Sequence, residues 1–135
     1  INKSLNGDNI YVSESIDKTL SICSRDSENN TLTLEKEIYL DSGLDNIEID
    51  KEGNLWIGSH PKALAFLRHA KDPEELSPSQ VIRLSITGNG DHISKEIYMN
   101  MGDELSGSSV ASVYNNMLLI GAVFEDHFLL CHLGE

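Results

Sequence analysis

Basic side chains are scarce. Ten Lys and Arg stand against 22 Asp and Glu, which leaves a formal charge of −12 over 135 residues. Nucleic acid and anionic membrane surfaces recruit clustered Lys and Arg, so neither is expected as a partner. A cation is compatible with this balance. Long apolar runs are also lacking. The longest extends from Met117 to Phe124, far short of the ~20 residues that span a bilayer, so no transmembrane segment is expected. Cysteine is limited to Cys23 and Cys131. Their spacing does not decide between a disulfide and two half-buried free thiols. The chain opens on Ile1-Asn2 without a Met, so the lack of a signal peptide says nothing about secretion.

Several signatures of established chemistry are missing too. Ser108 and Ser109 do not sit in a Gly-x-Ser-x-Gly elbow, which leaves serine-hydrolase chemistry without support. No Cys/His spacing of the zinc type occurs along the chain. Gly88-Asn89-Gly90 reads as a turn, not a phosphate-binding loop.

Helical periodicity is scarce, and what remains is a series of short apolar runs. They are Ile10–Ser13, Thr19–Cys23, Leu32–Leu40, Ile47–Ile49, Leu55–Ile57, Leu64–Leu67, Val81–Ile86, Ile93–Met99, Val110–Tyr114, Met117–Val123 and Phe128–Leu133. Separated by Gly, Asn and Asp, they predict an all-β, antiparallel fold. Asn9-Ile-Tyr-Val, Asn54-Leu-Trp-Ile-Gly and Asn116-Met-Leu-Leu-Ile-Gly each open a strand after a polar turn. A repeat of ~40–50 residues with four strands per unit is the signature of a propeller blade. The second interval is longer than the first, and Lys71–Pro78, with two prolines and three acids, reads as a solvated insertion. The spacing predicts about three blades within one domain spanning residues 1–135, the first and last incomplete.

The segment Leu44-Asp45-Asn46-Ile47-Glu48-Ile49-Asp50, then Gly53-Asn54-Leu55-Trp56-Ile57-Gly58-Ser59-His60-Pro61, reads as strand, tight turn, strand. Asp and Asn are depleted in strands, so the Asp45-Asn46 pair is an unusual entry to one. It either caps its own backbone or offers hard oxygens to an ion such as calcium. This segment resembles the serum paraoxonase/arylesterase family, with Leu44 in place of Val and Ser59 in place of Cys. A second block, Leu105 to Tyr114 followed by Leu118 to Phe124, resembles that family's last strands, and Leu130-Cys131-His132-Leu133 its C-terminal end. Asn9-Ile10-Tyr11-Val12-Ser13-Glu14 fits as well.

The resemblance implies about half of a six-bladed, calcium-dependent propeller, namely its C-terminal portion. It implies hydrolysis of lactones and aryl esters, in which calcium polarises the carbonyl for attack by water. Asp45 and Asn46 match two calcium ligands at the tunnel face. The further ligands, a Glu and two Asn, and the His pair assigned as base would precede residue 1; Asn2 is not one of them. His60 matches a His at the pocket rim, and Ser109, Val123 and Phe124 match pocket positions. The plain alternative for Val123 and Phe124 is core packing, and for His60 a structural role. Cys131 matches a Cys tied to one near the family's N-terminus, and here that partner would be missing. Partners are then a small ester or lactone and either the absent half of the propeller or a second copy of the chain. The two sequons, Asn29-Asn30-Thr31 and Asn2-Lys3-Ser4, are ordinary turns or glycosylation acceptors; the resemblance favours Asn29 and an extracellular setting. His69 and His92 are expected in solvent, and His127 and His132 near the last strand without a carboxylate partner. Two other readings stand beside the esterase. One is a non-catalytic propeller piece with at most structural calcium. The other is a six-bladed hydrolase of the gluconolactonase or strictosidine-synthase kind.

Overall fold

Tyr114 and Met117 pair directly across Asn115 and Asn116, which take φ of 46° and 61°. That is the two-residue hairpin turn that Asn tolerates and β-branched residues do not. The computed structural model describes residues 1–134, whose strands form three antiparallel sheets. Strands β1 (Asn2–Lys3), β2 (Asn9–Glu14), β3 (Thr19–Arg25) and β4 (Leu32–Tyr39) form one antiparallel sheet in chain order. Strands β5 (Gly43–Ile49), β6 (Leu55–His60), β7 (Ser79–Ile86) and β8 (His92–Asn100) form a second, and β9 (Ser108–Tyr114), β10 (Met117–Ala122) and β11 (Leu129–His132) a third. Each sheet is a meander of the kind that builds a propeller blade. Asn9, Asn54 and Asn116 lie at equivalent places, opening or immediately preceding the second strand of their sheets.

The blades pack face to face, and strand periodicity sorts the contacts. Leu55 and Ile57 of β6, with Ile82 and Leu84 of β7, join Leu20, Ile22 and Ile38 of the first blade in one core. Trp56 and Val81 point the other way and join Ala111, Leu118 and Ile120 of the third. Every residue of β6 is therefore buried. The outer face of the third blade is uncovered, and Leu119 and Leu130 stand exposed there.

The expectation of a strand at Leu64–Leu67 is overturned. Residues Ala63–His69 form the helix α1. The segment has no β-branched residue, and Ala and Leu lead the helix propensities. Ala65 and His69, four apart, face inward, while Leu64 and Leu67 face solvent. Helix and following loop together make the insertion between β6 and β7. Cys23 on β3 and Cys131 on β11 sit in different blades, and both are free, half-buried thiols. Burial, and secondarily the nearby Glu104 carboxylate, pushes the Cys131 thiol above its ordinary value.

Candidate active site

Gly58 is where the site begins. Leu44 pairs with Ser59 and Ile47 with Ile57, so Asp45 and Asn46 together oppose the single residue Gly58. The awkward pair thus occupies a β-bulge, the device that re-aims side chains at sheet rims. Gly58 is required for a second reason. A Cβ there would lie 2.4 Å from the carbonyl carbon of Ser109, because the start of β9 runs directly against β6. The same approach lets Asn46 Nδ2 donate to the Ser109 carbonyl at 3.2 Å. The Asn46 amide oxygen is left without a hydrogen-bond partner among the described residues.

Asp45 Oδ2 lies 3.2 Å from His60 Nε2. The two residues are fifteen apart in sequence, but the antiparallel pairing of β5 and β6 brings both to the same end of the sheet. His60 is buried, its ring stacked on Phe66 of α1 with centroids 3.7 Å apart, and its Nδ1 has no partner among the described residues. With Nε2–H donating to Asp45, that nitrogen carries the lone pair. Phe124 approaches Phe66 at 6.0 Å and sets its ring edge-on to His69 at 5.8 Å. The structure therefore gathers Asp45, Asn46, His60, Phe124 and the backbone of Ser109 at one end of the second and third blades. Val123 stands exposed, and the Ser109 residue itself is buried.

A buried serine network holds β9 in this position. Ser79 Oγ donates to the Leu105 carbonyl and accepts from Ser108 N, while Ser108 Oγ accepts from Gln80 N. Ser106 Oγ donates to the Gly102 carbonyl and accepts from Ser77 N. These serines are scaffold, as the missing elbow motif indicates.

Two histidine expectations are corrected. His69 is buried, not solvated, because α1 turns it inward. His127 does have carboxylates beside it, with Asp126 Oδ1 at 3.2 Å and Glu125 Oε2 at 3.8 Å. His92 is exposed as expected. Sequence reasoning missed Phe66, which stacks on His60, and the approach of Glu125 to His69. Phe66 carried one available signal, its place six residues after His60 in a run of helix formers. A cavity of about 940 Å³ lies at the opposite end of the strands, between Trp56, Arg83, Tyr114 and Asn116. It is an open cleft between blades, away from the clustered Asp, Asn and His.

Three meander sheets stacked face to face, with the irregular residues at one strand end, define a partial β-propeller. The arylesterase family model matches residues 1–133, and the chain belongs to that family. It is 34% identical over 134 residues to human serum paraoxonase/arylesterase 1, covering 98% of this chain and 37% of that protein. It is 34% identical to human serum paraoxonase/arylesterase 2 over 92% of this chain and 34% of the relative. With rabbit serum paraoxonase/lactonase 3 the identity is 33%, over 93% and 35%. The chain spans little more than a third of the length of these relatives.

Proposed function

We propose that residues 1–135 are the C-terminal portion, about three blades, of a calcium-dependent six-bladed hydrolase acting on small lactones and aryl esters. The observation that carries this reading is the bulge that sets Asp45 against buried His60 and beside Asn46, under the aromatic pair Phe66 and Phe124. Family membership supports it. The donor chemistry fits calcium in part. Asp45 supplies a carboxylate and Asn46 an uncommitted amide oxygen, both hard ligands, whereas calcium takes about six to eight oxygens. Asp45 and Asn46 would hold one side of the ion, and ligands from outside these residues would complete it. When bound, calcium polarises the substrate carbonyl and stabilises the oxyanion.

The chain's own side chains do the rest. His60 donates Nε2–H to Asp45 and thereby fixes the direction in which the carboxylate presents its other oxygen. Phe66 buttresses the imidazole. Phe124 offers an apolar surface to the ring or alkyl part of an ester. His60 is a positioning residue in this scheme, and no proton transfer is assigned to it.

The decisive test uses the whole protein that carries this chain. Asp45→Ala should raise the calcium concentration needed for half-activation. It should also lower phenyl acetate turnover by more than the ~10–100-fold typical of losing an outer-shell partner. Unchanged calcium dependence refutes the assignment and favours the non-catalytic alternative. The chain by itself should show no calcium-dependent turnover, and its uncovered third-blade face should drive self-association, read by light scattering. An extracellular setting with a glycan on Asn29 belongs to the same reading. Asn29 lies in an exposed turn, and a mobility shift lost in Asn29→Gln would register the glycan.

A further inference from the structure

Glu125 lies between two histidines that no sequence pattern connects. On one side is His69, 2% exposed. Its Nδ1–H donates to the Glu75 carbonyl at 2.9 Å, which leaves the lone pair on Nε2. That nitrogen is buried, has no hydrogen-bond partner among the described residues, and lies 3.9 Å from Glu125 Oε1. On the other side is His127. Its Nε2 donates to the Glu104 carbonyl at 3.0 Å, and its Nδ1 lies 3.8 Å from Glu125 Oε2. Asp126 Oδ1 is 3.2 Å from the same Nδ1.

This arrangement has the logic of a transition-metal site. Metal-binding imidazoles hand their second N–H to a backbone carbonyl or carboxylate, which fixes tautomer and ring direction. Both histidines here do so, and both remaining nitrogens face one carboxylate. Glu125, Asp126 and His127 already place their ligand atoms within 4.8 Å of one another. The buried, unpartnered Nε2 of His69 adds a donor from a different blade. We propose that His69, Glu125 and His127 bind one divalent ion of the zinc class, with Asp126 or water in the fourth position.

Two imidazoles and a carboxylate suit zinc or cobalt, not calcium, which takes oxygen ligands. Metal–ligand bonds of ~2.0–2.2 Å put neighbouring ligand atoms roughly 3.4 Å apart in a tetrahedron. His69 stands outside the group already within 4.8 Å, and it and His127 approach different oxygens of Glu125, so closure needs a shift of more than about 1 Å. Half-exposed His127 and partly exposed Glu125 have room to move. Occupancy would tie α1 to the β10–β11 connection and hold Phe66 and Phe124 together over the Asp45–His60 pair. Its ligands are distinct from the proposed calcium ligands Asp45 and Asn46.

The test is a titration of the intact protein carrying this chain, stripped with chelator, with cobalt(II) alone, followed by the visible d–d bands of a tetrahedral ion and competed with zinc. One ion per chain is expected, with a raised melting temperature. His69→Gln and Glu125→Gln should each weaken binding by more than about 100-fold, beyond what an outer-shell loss costs. His92→Gln, an exposed histidine elsewhere, should change nothing. Should His69→Gln fail to fold, the more exposed Glu125→Gln carries the same test. Asp45→Asn should leave cobalt binding intact, which separates this site from the proposed active site. Cobalt binding retained in Glu125→Gln, abolished in Asp45→Asn, or displaced by millimolar calcium would overturn the proposal.

Discussion

Asp45 and Asp50 sit five residues apart at opposite ends of one strand-turn-strand unit, and their surroundings are opposites. Asp50 is fully occupied. Its Oδ1 accepts from Glu52 N and Asn54 N, and its Oδ2 from Asn54 Nδ2 and the Trp56 indole. Burial, the largest influence, pushes its carboxyl upward, but these donors together win and hold it below the ordinary carboxylate range. Among the described residues Asp45 has one side-chain partner, His60, and it sits in a bulge. The Asp50 end closes a turn that includes Gly53 at φ 86°, and its donors leave the carboxylate little capacity for a ligand. The Asp45 end leaves oxygen capacity unused beside a buried imidazole. A carboxylate surrounded by its own donors is scaffold; one that is under-coordinated at a strand end is available for chemistry.

Removing the bulge's counterpart should have the greatest consequence. Gly58→Ala forces a methyl group into the Ser109 backbone. It should cost about 3 kcal/mol or more, the upper range for overpacking, read by denaturant unfolding of the intact protein. A loss under ~1 kcal/mol would mean that the blades slide apart freely.

Matched Asp-to-Asn substitutions separate the two carboxylates. Asp50→Asn removes the charge that four donors address, and should cost about 1.5–3 kcal/mol, as for hydrogen bonds to charged groups. Asp45→Asn keeps an acceptor for His60 and should cost less than about 1 kcal/mol in the absence of added metal. Equal losses at the two positions would mean that both carboxylates are scaffold.

The smallest effect is on acid stability. The folded Asp50 carboxyl titrates below its unfolded value of ~3.9. Its contribution is present above about pH 4 and is lost as pH falls through the folded value. The unfolding midpoint should therefore drop below pH 4 in the native protein, and part of that slope should vanish in Asp50→Asn.

Much of this was legible in the sequence, because strands and turns are local. Short apolar runs set between Gly, Asn and Asp, and the Asn-opened strands, each act over a few residues, so they announced an all-β fold of blade-like units. The oddity of Asp45-Asn46 in a strand announced an irregular site, since a dipeptide disfavoured in the pleat needs some local accommodation. Leu64–Leu67 misled as a strand because a four-residue apolar run has no period to read; composition had to arbitrate, and Ala63 and Ala65 point to helix.

Only the tertiary structure decided which distant groups meet. Asp45 reaches His60 through the antiparallel register of β5 and β6. Phe66 reaches His60 because a helix, not a strand, follows Pro61. His69 and Glu125 are 56 residues apart, and no local pattern links them. Their approach depends on two blades packing closely enough that Gly58 has no room for a side chain. Blade packing is set by the summed burial of many apolar faces, a property of the assembled sheets that no single segment encodes.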